Sequence, residues 1–294
     1  MKKTINYFLT SVAAAALLTV GSCSKDSTLP QIDGFNNSNE VAATNLKAHW
    51  TFDDTNTERL SNTAPSNTYG TVGFATGQIG NALKLSSGAL VYPSIANIGS
   101  ANSLSNFTVS LWVNVTNNKA TAKAGANALF ALLYANDDDI WGNISILAET
   151  GAHLPTSDTL LLKPLLKTLL PNGQTSLQDN ISVVNGNVGK DFLGAKRWAH
   201  YVARWNGATH KFEIFADGVN VGAYSDRGTT PELSMRTPVK AVFGSLTYND
   251  IGFATAQVRG IPLANASIDD VRVYNTVLAD KDITALYNLG KAGR

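Results

Sequence analysis

Apolar and polar residues alternate with a period of two along several short stretches of this chain. Phe107, Val109, Leu111, Val113 and Val115 hold the odd positions of one stretch, with mostly polar residues between them. Successive side chains of a strand point to opposite faces, so this stretch reads as a strand with one face buried. Ala48, Trp50 and Phe52 alternate with His49, Thr51 and Asp53 in the same way. Further strands are expected at 82–85, 129–133, 200–205, 211–216 and 268–274. Asp217-Gly218 joins 211–216 to 219–223 with the turn chemistry of a hairpin. A helical pattern stands out near the end of the chain. Asp280 is placed to cap a helix over 281–288 that carries Ile283, Leu286 and Tyr287 on one face. Many short strands with one short helix predict an all-β fold, a two-sheet antiparallel sandwich of one domain.

The first residues follow neither period. Met1-Lys2-Lys3 is basic, residues 8–20 are apolar, and the run closes on Val20-Gly21-Ser22-Cys23. That order is the order of a secretory signal. The apolar run is shorter than the ~20 residues a spanning helix needs. Its end resembles a bacterial lipobox. The resemblance implies cleavage before Cys23, lipid on Cys23, and a protein held to a membrane by acyl chains. Ser24-Lys25-Asp26-Ser27 resembles the short charged signals that send lipoproteins to the surface of the outer membrane. With Cys23 the only cysteine, no disulfide can form within the chain. Residues 1–22 therefore form the signal peptide. The polar, aperiodic residues 23–45 are expected to be a flexible tether, and 46–294 the folded domain.

Charge narrows the partners. The chain carries 23 basic and 22 acidic residues, and no basic stripe appears, which argues against a nucleic-acid partner. A 44% hydrophobic content is enough for a sizeable core, while charged residues make up only 15%. The polar faces are consequently rich in hydroxyls and amides.

Six segments in order carry a family resemblance. They are Leu46-Lys-Ala-His-Trp-Thr-Phe-Asp-Asp, Gly80-Asn-Ala-Leu-Lys-Leu, Phe107-Thr-Val-Ser-Leu-Trp-Val, Trp198-Ala-His-Tyr-Val, Phe215-Ala-Asp-Gly-Val and Ser267-Ile-Asp-Asp-Val-Arg-Val-Tyr-Asn, the last followed by Leu278-Ala-Asp-Lys-Asp-Ile-Thr-Ala-Leu-Tyr. Together they resemble a laminin-G-like jelly roll of the concanavalin A-like lectin/glucanase group. The resemblance implies two curved sheets, with ligands met on the concave face or the loops at its rim. Lectins, hydrolases and adhesion modules share that fold, so it does not by itself assign a function. One region departs from the pattern, a long insertion at about 117–191. It contains the leucine-rich run 160–170, which Pro164 interrupts. Those leucines are expected to form a local mini-core packed on the sandwich.

Candidate chemistry is sparse. Glycoside hydrolysis needs two carboxylates facing one bond, ~5–9 Å apart. The five glutamates, Glu40, Glu58, Glu149, Glu213 and Glu232, are scattered, and no strand carries an alternating acid set. The four histidines, His49, His153, His200 and His210, lack paired metal-ligand spacing. Calcium comes from the resemblance. In related glucanases the residue matching Asp269 helps hold a structural calcium with groups of the first strand, where Asp53 is the match here, with Asp54 beside it. The alternative is that Asp269 and Asp270 cap turns or pair with Arg272 and Lys281. Sugar recognition combines flat aromatic faces with planar polar groups. Two loop-like segments offer both: Tyr134, Asn136, Asp137, Asp139 and Trp141 in one, Tyr248 and Asn249 in the other. Trp50, Trp112, Trp198 and Trp205 lie in strand patterns and are expected in the core or on a sheet face. The sequence thus reads as a non-catalytic surface lipoprotein that binds a glycan or glycoprotein. A protein-binding adhesin, or an accessory subunit of an outer-membrane nutrient-import (transporter) complex, is the alternative. A glycoside hydrolase is the second alternative.

Overall fold

A computed structural model of the protein describes residues 29–122, 124–134, 141–179, 190–209, 211–224, 234–246 and 260–294. In chain order the strands are β1 (Leu46–Trp50), β2 (Asn67–Thr76), β3 (Asn81–Tyr92), β4 (Phe107–Val115), β5 (Asn127–Tyr134), β6 (Ile144–Ala148) and β7 (Leu160–Leu169). They continue as β8 (Thr175–Asp179), β9 (Lys190–Phe192), β10 (Ala199–Asn206), β11 (Lys211–Ala216), β12 (Val219–Tyr224), β13 (Pro238–Phe243) and β14 (Ala264–Tyr274). The helix α1 (Asp280–Lys291) follows.

All pairings are antiparallel, and hydrogen bonds run continuously along β12-β11-β10-β4-β14-β3-β13-β5-β6-β7-β8. β1 adds to β14, β2 to β3, and β9 to β7. The path folds over at β3, whose first half pairs with β14 and whose last residues pair with β13. Two layers then face each other over one core. Trp50, Phe107, Leu111, Tyr201 and Ile214 come from one layer, and Phe130, Ile146, Leu162 and Phe243 from the other. Trp50 lies edge-on to Tyr92 and Phe243 within that core. This is an all-β sandwich, as the alternating patterns predict. Trp50, Trp112 and Trp205 are buried, as expected of strand tryptophans, whereas Trp198 lies just before β10 and is half-buried.

The fold-over needs glycine at one point. Gly70 in β2 has a φ of +62°, and a Cβ there would fall on the Ser87 carbonyl oxygen of β3. Both effects exclude other side chains.

Three expectations change. Residues 23–45 are not a tether throughout: the folded unit begins at Gln31. Ser38–Glu40 and Ala43–Asn45 form 3-10 turns, and Val41 is fully buried against α1 and β10–β11. Nor is the insertion an excursion from the sandwich, because its residues supply β5 to β8 and the start of β9. The leucine-rich run is β7, with Leu160, Leu162 and Leu166 in the main core and Leu165 on the opposite face. Pro164 is tolerated for a local reason. The bonds Lys167 N–H to Asn143 O and Glu149 N–H to Leu161 O make the odd residues of β7 those that bond to β6. The missing N–H of Pro164 therefore faces the other edge. There the pairing with β9 stops at Leu162 and that with β8 begins at Leu165, so among the described residues no ladder bond is lost. Finally, Asp280 is not the cap of α1. The N-cap is Ala279, without a side-chain cap bond, while Asp280 opens the helix and accepts from Arg204 Nη1 at 2.7 Å.

The helix covers the outer face of the first layer. Ile283, Ala285, Leu286 and Leu289 pack on Val202, Phe215 and Tyr274. Tyr287 stacks on Trp112 at 5.7 Å, with His200 beside both rings. Among the described residues no helix is long and apolar enough to cross a membrane.

Candidate functional site

The second layer presents its outer face differently. Val91 of β3, Val242 of β13, Ala131 and Leu133 of β5, Leu147 of β6 and Leu165 of β7 form an apolar strip there. Trp141 and Tyr69 pack against it, each half-buried. Lys163 and Lys167 flank Leu165 on the same face of β7, since side chains two apart share a face. Lys240 shares that face with Val242 on β13. Burial pushes the Lys167 ammonium down from its ordinary range. Glu149 pairs with Lys163 at 3.3 Å. The strip residues are themselves at most 3% exposed, so this floor is closed, and the surface left open on that face is that of Trp141, Tyr69 and the three lysines.

Trp141 is held by its neighbours in sequence. Gly142 takes a φ of +61°, and a Cβ there would strike the Leu133 side chain and the Leu132 carbonyl. Asn143 donates its backbone N–H to Leu132 O at 2.8 Å and its amide to Arg236 O at 2.9 Å. Ser145 Oγ donates to the Trp141 carbonyl at 2.6 Å. A pinned turn lowers the entropy lost when an aromatic ring receives a ligand.

Of the sequence candidates, Trp141 alone stands on this floor among the described residues. Tyr134 lies in β5, 1% exposed, with the Arg236 guanidinium 5.3 Å from its ring. It offers no open face and is corrected from ligand platform to core residue. Asn136, Asp137, Asp139, Tyr248, Asn249 and Cys23 lie outside the described residues. The sequence reading passed over Tyr69, Lys163 and Lys167. The available signal was Lys163-x-Leu165-x-Lys167, a period-two pattern beside Pro164.

A second polar site lies at the edge of the first layer. Asp53 and Asp269 line one pocket of about 120 Å³, together with Thr51, His49, Asp270 and Arg272. Asp269 Oδ2 accepts the backbone N–H groups of Gln78 and Ile79 at 2.8 and 2.9 Å, which holds the turn Gly77–Gly80. Its Oδ1 is buried with no hydrogen-bond partner. Burial pushes the Asp269 carboxyl up to about 7. Asp53 Oδ1 accepts from Asn81 N at 2.9 Å. Among the described residues no group of three His, Cys, Asp or Glu side chains is placed to hold a metal.

Beside them runs a self-satisfied network. Asp270 accepts from His49 Nε2 at 2.7 Å and from Arg272 Nε at 2.9 Å. Arg272 Nη2 reaches Ser38 Oγ at 2.8 Å, which ties the 3-10 turn Ser38–Glu40 to β14. Burial alone would raise the Asp270 carboxyl, but the guanidinium and His49 outweigh it and hold it below the ordinary range. Of the sequence alternatives for this residue, pairing with Arg272 is the one the structure shows.

No family model matches the chain, and no curated protein sequence does. Solved structures do. Domain 4 of a GH43 extracellular arabinanase from Geobacillus stearothermophilus, in complex with arabinotriose, is 17% identical with a TM-score of 0.50, over 82% of this chain and 98% of that one. The receptor-binding domain of botulinum neurotoxin mosaic serotype C/D is 13% identical with a TM-score of 0.52, over 83% of this chain. The binding domain of botulinum neurotoxin DC in complex with SialylT is 14% identical with a TM-score of 0.50. The alignments span about half of each toxin domain, 50% and 51%. At these identities the likeness establishes the fold: the chain is a β-sandwich of the kind found in those binding domains.

Proposed function

We propose that the protein is a lipid-anchored surface protein whose laminin-G-like sandwich binds a glycan or glycoconjugate and performs no chemistry. The carrying observation is Trp141, half-buried and pinned at the edge of an apolar strip that Tyr69 also meets, on the sheet face that carries Lys163, Lys167 and Lys240. Sugar C–H faces stack on such rings, and ammonium groups donate to hydroxyls or carboxylates. Sandwich domains of the same fold have been solved with arabinotriose and with SialylT, which supports the reading. The anchor rests on Cys23 and the signal before it. Cys23→Ala is expected to release the protein from membranes or leave the precursor uncut. Membrane fractionation at the mature mass would remove the anchor from this reading.

The binding test is a glycan array followed by titration of Trp141→Ala. Loss of an aromatic stack worth ~1.4 kcal/mol weakens binding about tenfold. The variant is expected to lose at least that much while remaining folded. Wild-type affinity in Trp141→Ala would take this residue out of the site, and turnover of any array glycan would revive the hydrolase.

Calcium belongs to the same proposal. The donors fit in part: Asp269 Oδ1 is buried and unpartnered, Asp53 lines the same pocket, and calcium takes oxygen ligands, while Arg59, Arg272 and Arg294 line that pocket too and oppose a cation. An ion bound only by the folded state, at a hundredfold excess over Kd, stabilises by ~2.7 kcal/mol. Chelator is therefore expected to lower the melting temperature of the wild type and hardly that of Asp269→Ala. A wild-type melting curve unmoved by excess chelator would exclude a tightly held ion.

A further inference from the structure

The longest unguarded edge of the sheet is β2. It pairs with β3 on one side, and among the described residues no strand meets its other side. Its ten residues, Asn-Thr-Tyr-Gly-Thr-Val-Gly-Phe-Ala-Thr, include no charge and no proline. Proteins blunt open edges with charge, proline, short strands or cover. Other edges here use those devices. The free side of β1 is met by the next turn, where Glu58 Oε1 accepts from His49 N at 2.7 Å and Arg59 N donates to His49 O at 2.8 Å. β8 has five residues and ends on Asp179.

We infer that β2 is the pairing edge of a homodimer, in which β2 strands of two copies run antiparallel about a twofold axis at Gly73. Such an axis stands perpendicular to the sheet, so each copy's faces continue into the other's. Residues directly opposite must then share a face. Val72 packs toward the main core and Tyr69 toward the outer strip, so even residues of β2 face inward and odd residues outward. An axis at Gly73 meets this condition and sets Val72 of one copy opposite Phe74 of the other, twice. Phe74 is 39% exposed in the single chain, an apolar ring left partly open at the sheet's rim. The pairing supplies cover and an aromatic–β-branched cross-strand contact on each side of the axis.

Charge and space agree with a second copy as the occupant. A strand without charge brings no like charges face to face when it meets itself. A Cβ built on Gly73 has nothing within 4 Å, so the approach is open. The nearest cation is Lys84, opposite Gly73 on β3. In the dimer the two Lys84 residues stand three strand spacings apart, about 14 Å. That exceeds the Debye length of ~8 Å at physiological salt. The kink at Gly70 confines regular pairing to residues 71–76, enough for this register.

Disulfide trapping tests the register. Cys23 is the only native cysteine, so the full chain carrying Cys23→Ser is a clean background. Opposed Cα atoms of antiparallel strands lie about 4.5–5.5 Å apart, within the span a disulfide bridges. Gly73→Cys is expected to form a covalent dimer under mild oxidation. Ala75→Cys, which meets Thr71 in this register, is expected to stay monomeric. In sedimentation, Phe74→Lys is expected to weaken association at least tenfold while the chain remains folded. A wild-type chain that sediments as a monomer at every concentration overturns the inference. So does trapping of Ala75→Cys as readily as Gly73→Cys. Neither outcome depends on the glycan reading.

Discussion

Arg272→Met is expected to lower the melting temperature by roughly 10 °C, the largest effect of any single polar change in this fold. Arg272 is 2% exposed and Asp270 5%, and their side chains meet at 2.9 Å. Removing the guanidinium leaves a buried carboxylate facing only His49, whose imidazole burial holds below its ordinary pKa and therefore neutral at pH 7. Breaking one half of such a pair costs about 3–5 kcal/mol. The same change severs the bonds to Ser38 and Asn39 that hold the 3-10 turn Ser38–Glu40 against β14. Asp270→Asn combined with Arg272→Met is expected to cost less than the two single changes together, because no uncompensated charge remains. Calorimetric melting of the three variants decides it. Strict additivity would mean that the pair is not coupled.

The second large effect is the acid sensitivity contributed by one buried histidine. Burial pushes the His200 imidazole down to about 4 from an ordinary 6.5. Its Nε2 lies 2.8 Å from Ser110 Oγ, and its ring sits beside Trp112 and Tyr287 under the helix. Below pH 6.5 the unfolded chain takes up a proton at this residue and the folded chain does not. This residue's contribution to stability therefore falls from about pH 6.5 and is lost as pH passes about 4. It amounts to roughly 3 kcal/mol. His49, also held neutral by burial, adds a loss of the same sign. Asp269, pushed up to about 7, gains stability over the same range and offsets this loss in the wild type. The test is therefore a difference: between pH 7 and 4.5 the urea midpoint of the wild type is expected to fall relative to that of His200→Gln. Parallel curves for the two proteins would contradict a neutral, buried imidazole.

What the sequence shows of this fold depends on how many faces each strand buries. β4 alternates because one face meets the core and the other meets polar groups and the helix, and its period is plain in the sequence. β5 is buried along its whole length, so Asn127–Tyr134 reads as an apolar run with soft limits. β7 hides for another reason. Pro164 looks like a breaker until the gap between β9 and β8 is known, and that gap is a tertiary fact. The candidate sites divide along the same line. Asp53 and Asp269, far apart in sequence, share a pocket that the family resemblance anticipated. Tyr134 was misplaced because a polar segment follows it, while its own register in β5 turns it inward. Tyr69 stayed invisible because β2 is built of threonine and glycine, which carry little hydropathy contrast.

The place of β14 in the sheet also governs when the protein can fold. β14 comes last of all the strands, yet it lies between β4 on one side and β1 and β3 on the other. Until residue 264 has been synthesised, the block from β12 to β4 has no strand linking it to β3, and neither layer can close over the core. Its long-range pairings carry the loop-closure cost that slows folding. At about 5–20 residues per second, almost the whole chain leaves the ribosome before a stable core exists. A polypeptide that withholds its keystone in this way remains threadable for as long as it is being made. A chain whose closing strand emerges last is, by its topology alone, one that can be threaded through a narrow channel before it folds.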